Sequence, residues 1–185
     1  MTKRTLILLS FLLLAVASRF IIMAGPQWAN FSPMGALALF SGYFFKDKRF
    51  AIIYSLLSLW VSNLLLNNLL YSNYFKGFSW GFSGSQFFLF ASLTFIGSFI
   101  SKLKNNFRTI LWVNFLVSVG FFLISNFLVW AFSDEVVYSK DMSGLSACYF
   151  SAIPFFQNSL LSQLLFGTLF FGCLEWLKSR DKSLA

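Results

Sequence analysis

The chain has 185 residues, 58% of them hydrophobic and 21% aromatic, with 27 Phe and only 11% charged. So little charge cannot cover a soluble domain of this size, and lipid must be the main solvent. The net charge of +8 falls in short Lys and Arg clusters between apolar runs, a pattern of headgroup contact that argues against nucleic-acid binding.

In chain order, Lys3 and Arg4 precede a first apolar run over residues 5–24. Ala15-Val16-Ala17 resembles a signal-peptidase site, but apolar sequence resumes from Phe20 to Met23. About 20 residues suffice to span, so a retained helix is expected. Gly25, Pro26, Gln27 and Trp28 then form a turn-prone lead-in to residues 30–40. Pro33 suits the first turn of a helix, where its missing N–H does no harm. A surface loop carrying Trp28 and Asn30 and feeding a Gly/Ala-rich run suits the lid and wall of a binding cavity. An interfacial loop before an ordinary helix is the plain alternative.

The second run, residues 33–45, is short for a span, and Lys46, Lys48 and Arg49 follow it. A third covers 50–70, a polar aromatic loop 71–82, a fourth 83–100 and a fifth 109–132. The last apolar region, 143–177, is too long for one span, and Pro154 is expected to divide it. That reading puts a short surface helix over 143–153 and a sixth span over 155–177. Cys148 and Cys173 both lie in this region, too far apart on a helix to pair, and read as small packing residues.

With six spans and the N-terminus inside, eleven Lys and Arg fall on the cytoplasmic side, against Lys76 and Lys140 outside. This positive-inside bias also supports counting the short second run, since dropping it moves later clusters to the wrong side. The expected fold is an all-α integral membrane protein. It is a six-transmembrane-helix bundle with both termini cytoplasmic, in one transmembrane domain over residues 1–185.

The available chemistry is narrow. There is no histidine, so His bases and His metal ligands are absent, and no phosphate-cradling Gly-rich loop precedes a Lys-Ser/Thr pair. No nucleophile–base pair can be assembled, so no catalytic residues, no metal and no cofactor are expected. Glu175 lies three residues before Lys178, which reads as a surface ion pair. Nothing ionisable near the midplane suggests ion coupling, so any transport would draw its energy from a partner protein or follow a passive pathway.

Arg19, toward the outer end of the first span, is the exception. Intramembrane Arg is costly and functional by default, with snorkelling to headgroups as the plain reading. Asn63 and Asn67 share a face of span three, Asn126 and Trp130 a face of span five, and Tyr149 and Asn158 follow. Any one amide is readily explained as interhelical glue, but their convergence on the outer half favours an outward-facing pocket. Trp28, Trp130 and Tyr149 suit its lining or an interfacial aromatic belt. The candidate binding set is therefore Arg19, Trp28, Asn30, Asn63, Asn126, Trp130, Tyr149 and Asn158. Ala38 with Gly42, and Gly97 with Ser101, form small-x-x-x-small pairs suited to close helix packing.

Three segments carry a resemblance: residues 30–42 (NFSPMGALALFSG), 125–130 (SNFLVW) and 144–158 (GLSACYFSAIPFFQN). With Arg19, they resemble a bacterial family of uncharacterised six-span membrane proteins, DUF6580-like. In size and topology that family is similar to the substrate-binding S components of energy-coupling factor (ECF) vitamin transporters. The resemblance implies capture of a vitamin-like small molecule from outside at the bacterial inner membrane. An ECF-type transmembrane coupling protein and ATPases would then drive its release inside. Two positions depart from the family pattern: Asn63 and Gln163 stand where Asp is usual, which removes two negative charges. The alanine pattern by which some S components dock is also not clear here, since Ala15 is followed by Arg19. The alternative from another class is a non-transporting scaffold or assembly protein whose polar residues only join helices.

Overall fold

The computed structural model describes residues 3–101 and 107–180. Lys102, Lys104 and Lys182 of the basic clusters lie outside the described residues. The described residues form six α-helices: α1 Lys3–Ser18, α2 Met34–Phe44, α3 Lys48–Leu69, α4 Gly84–Ile100, α5 Phe107–Phe132 and α6 Met142–Arg180. A tighter 3-10 segment, Arg19–Ala24, continues α1. No strand occurs among the described residues.

Local chemistry sets the ends. Asp47 caps α3 by accepting the Arg49 N–H at 2.9 Å. Asp141 caps α6 by accepting the Gly144 N–H at 2.8 Å, and the Ser139 hydroxyl holds the same oxygen at 2.7 Å. Pro33 stands immediately before α2, where its missing N–H leaves no partner wanting.

α2 is the centre of the molecule. It packs against α1, α3, α4 and α6, and Met34 and every residue from Ala36 to Gly42 is buried. The Phe40 ring meets Phe11, Phe170 and Phe171 from α1 and α6. The crossing with α4 is close because both helices present glycine there. A Cβ on Gly42 would lie 1.8 Å from the Thr94 carbonyl oxygen, and one on Gly97 2.0 Å from that of Leu39.

The interior is mainly apolar but holds several hydroxyl groups, and the exterior carries many large apolar side chains. Ser41, Ser58, Thr94, Ser98 and Ser118 are buried, each donating its hydroxyl to a carbonyl three or four residues back. Outside, Leu13, Phe50, Ile53, Phe88, Trp112, Leu116 and Leu161 stand exposed. An exterior more apolar than parts of the interior is the arrangement lipid favours.

Four segments are long and apolar enough to cross a membrane: Thr5–Ala24, Lys48–Leu69, Phe107–Phe132 and Met142–Arg180. Helices α2 and α4 are apolar but shorter, at 11 and 17 residues. Six helical runs thus appear where the sequence places them, while length and composition qualify four.

One expectation is corrected. Pro154 does not divide the last region, and α6 is a single helix of 39 residues. Proline inside a helix removes one hydrogen bond and crowds the preceding turn, at about 3 kcal/mol. Tertiary bonds on both sides of it oppose that penalty. Tyr149 donates its hydroxyl to the Leu123 carbonyl at 2.7 Å, and Asn158 donates to Gln27 and Ala29. α6 also packs along α5.

Candidate functional site

A cavity of about 960 Å³ opens between α4, α5 and α6, with Arg19, the loop before α2, and residues of α2 and α3 completing its wall. Its volume falls at the upper end of the range typical of small-molecule pockets, roughly 300–1,000 Å³. The lining is mainly apolar, with Leu89, Phe90, Phe121, Phe122 and Phe156 prominent. Arg19, Asn30, Gln86, Asn126 and Gln163 supply the larger polar groups, and several serines the smaller ones.

Arg19 opens the 3-10 segment after α1 and is half-buried. Its guanidinium donates to Ser62 Oγ and Asn63 Oδ1, both at 2.8 Å. The Asn63 amide in turn donates to Gln86 Oε1 at 3.0 Å and to the Gly81 carbonyl at 3.3 Å. Among the described residues no carboxylate pairs with this cation. The arrangement is a positive charge held by neutral acceptors at the edge of an apolar space.

The loop before α4 is what brings Gln86 to Asn63. Gly81 adopts φ 70, and a Cβ there would lie 2.9 Å from the Leu64 nitrogen, so only glycine lets this backbone lie flat on α3. Asn68 fixes the approach by donating to the Ser79 carbonyl and accepting from the Ser79 N–H. Asn67 bonds Ser79 Oγ, and the Trp60 indole donates to the Trp80 carbonyl.

The loop before α2 forms another side. Asn30 takes a left-handed conformation, φ 62, which Asn tolerates better than most residues. Three α6 side chains hold this loop by its carbonyls. Asn158 donates to Gln27 and Ala29 at 2.7 and 2.8 Å, Ser159 to Asn30, and Ser162 to Ser32 at 3.0 Å.

Of the eight candidate residues, Arg19, Asn30 and Asn126 line the cavity. Asn63 stands behind Arg19 as its acceptor. Asn126 also donates its amide to the Phe122 carbonyl at 2.8 Å. Asn158 clamps the loop and does not line the cavity. Trp28 stacks edge-on against Phe31. The Trp130 indole donates to the Ser139 carbonyl, with the Lys140 ammonium over its ring, and Tyr149 bridges to α5.

Three amides lie outside the candidate set. Gln163, named above only as a departure from the family pattern, lies at the cavity and donates to Asn114 Oδ1 at 2.9 Å. Asn114, fully buried on α5, donates to the Ile110 carbonyl at 2.8 Å. Its signal was available, an amide in mid-run with Ser118 four residues on. Gln86 sits at a loop–helix junction, where nothing in the pattern marks it.

Helices of this length and apolarity, enclosing a partly polar cavity, are compatible with a multi-pass membrane protein. The sequence model of DUF6580, a family of unknown function, matches residues 1–184, and the chain belongs to that family. No curated protein and no solved structure matches it.

Proposed function

We propose that this protein is the substrate-capturing membrane component of a small-molecule uptake system. The cavity with Arg19 at its wall carries the reading: a cation with no carboxylate partner among the described residues, facing a space of ligand size. Six spans with both termini in the cytoplasm put that cavity on the outer side of a bacterial inner membrane. The chain has no ATP-binding loop and no histidine. It would therefore rely on a coupling protein and ATPases for energy, as the ECF S components that its size and topology resemble do. A vitamin-like micronutrient is the ligand class that this resemblance suggests.

The scaffold reading has an observation of its own. Asn67, Asn68, Trp130, Tyr149 and Asn158 all bond loops or neighbouring helices, as residues that only join helices do. The cavity favours capture over that reading.

Native mass spectrometry of protein gently solubilised from its own host tests both. A bound small molecule, with or without an ATPase pair, supports capture. An empty protein attached to an unrelated membrane complex overturns it in favour of the scaffold.

A further inference from the structure

The cavity does not close on the side of α4 and α5. Those two helices barely meet along their length. Between them runs a slot of about 380 Å³, lined by Leu89, Leu93, Ile96, Val113, Leu116 and Gly120 among others, with Ser92 its one polar residue. The slot shares Leu89, Leu93, Val117 and Phe121 with the main cavity, so the two spaces adjoin. Phe90 and Phe121 stand edge to face at that junction, ring centroids 6.0 Å apart.

The two adjoining spaces differ in chemistry. The cavity is lined by the Arg19 cation and by Gln86, Asn126 and Gln163, while the slot is apolar and opens between α4 and α5. We propose that this site takes a single-chain anionic amphiphile from the surrounding leaflet. Its head group bonds Arg19, and its tail lies sideways in the slot between α4 and α5. This deepens the capture reading above and rests on it.

Three observations select that occupant. Arginine presents a planar fork that matches carboxylate and phosphate oxygens, and here only neutral acceptors hold it. The slot is apolar but for Ser92 and adjoins the cavity that Arg19 lines, so a ligand with an anionic head and a hydrocarbon tail matches both. Lastly, Gly120 leaves its stretch of α5 open, since a Cβ there meets nothing within 4 Å.

Gly120 also supplies the test. Gly120→Phe fills the slot with a side chain that meets no neighbour at its Cβ and sits better in a helix than glycine. Gly172→Phe, at another open glycine, exposed on α6 and outside both spaces, is the control. The probes are oleate, oleoyl lysophosphatidate and butyrate, added to the delipidated full-length chain and read as one-to-one complexes by native mass spectrometry. The parent and Gly172→Phe are expected to bind one or both long-chain anions. Gly120→Phe and Arg19→Gln should each weaken binding by about tenfold or more, with Arg19→Lys recovering part of it. The thermal midpoint of each variant separates lost binding from lost fold.

Preference between oleate and the lysophosphatidate identifies the head group as carboxylate or phosphate. Equal binding by Gly120→Phe and the parent overturns the tail placement. Equal binding by Arg19→Gln overturns the head placement. Butyrate bound as tightly as oleate, or a tail-less host molecule lost in Arg19→Gln and kept in Gly120→Phe, overturns the amphiphile while leaving capture intact. No binding of any probe overturns the inference as well. If protein from the host is also empty and attached to another complex, the capture reading falls with it.

Discussion

At the scale of single residues, Asn63 holds the site together. It is the acceptor for Arg19 and the donor to Gln86 and Gly81, so it ties the end of α1 to α3 and to the loop before α4. Asn63→Leu leaves a half-buried guanidinium with Ser62 as its remaining acceptor among the described residues and strips Gly81 of a donor. The expected loss is about 2–3 kcal/mol, read as a lower thermal midpoint in detergent. An unchanged midpoint would mean that solvent or lipid replaces these bonds. That Asn63 and Asn67 share a face follows from their spacing of four. Their separate partners do not, because Asn67 meets Ser79 only once the loop has folded back on α3.

Asp141 makes a pH-dependent contribution at the same scale. The Gly144 N–H, and next the Ser139 hydroxyl, hold its carboxyl below the usual Asp range. A depressed value means the ionised cap stabilises α6 above the ordinary Asp pKa, about 3.9, and that this support is lost as pH falls through the folded value. Hydrogen exchange at residues 143–145 should therefore quicken on acidification in the parent. In Asp141→Asn, which keeps an acceptor without a titrating group, the rate should follow only the intrinsic pH dependence of exchange. Identical behaviour of the two proteins would remove the cap from the account.

At the scale of elements, the crossing of α2 with α4 is the tightest contact in the bundle. Gly42 and Gly97 face each other's helices across it, and the Cβ built at Gly97 lies 3.2 Å from the Gly42 Cα. Alanine at either position pushes the helices apart and is expected to cost about 1–3 kcal/mol. The double variant should cost less than the sum of the singles, because the first methyl has already opened the space the second needs. Additive losses would show that each glycine acts alone. The small-residue spacing made Gly42 and Gly97 candidates for close packing. It could not say that they pack on each other, nor that α6 would run on through Pro154, because bonds to α5 and to the loop before α2 oppose the helix-breaking tendency of that residue.

At the scale of the whole molecule, the six-span reading makes a topological prediction. In a Cys148→Ser, Cys173→Ser background, cysteine at Lys76 or Lys140 should react with a membrane-impermeant maleimide on intact cells. Cysteine at Lys46 should react only after permeabilisation. Serine at 148 keeps a donor for the Asn126 carbonyl, which Cys148 contacts at 3.4 Å. Labelling of the Lys46 position in intact cells would sink the six-span arrangement, although α2 and α4 would remain the packed centre of the fold.

What the amino-acid sequence determined by itself is the elements. So few charges suit a chain surrounded by lipid, where backbone groups without water must bond within helices, and six apolar runs become helices. Residue type and spacing also mark Arg19 and the amides as costly groups that need partners. Which partners they find was decided by tertiary structure alone. Asn158 and Tyr149 are taken up by a loop carbonyl and a helix carbonyl, Asn63 by Arg19, and Arg19, Asn30, Asn126 and Gln163 are left lining a space. The physical reason is that a buried polar group satisfies itself with whatever lies within about 3 Å. That neighbour is set by how helices distant in sequence pack, here by two glycines that draw α4 onto α2 while α5 stays with α6.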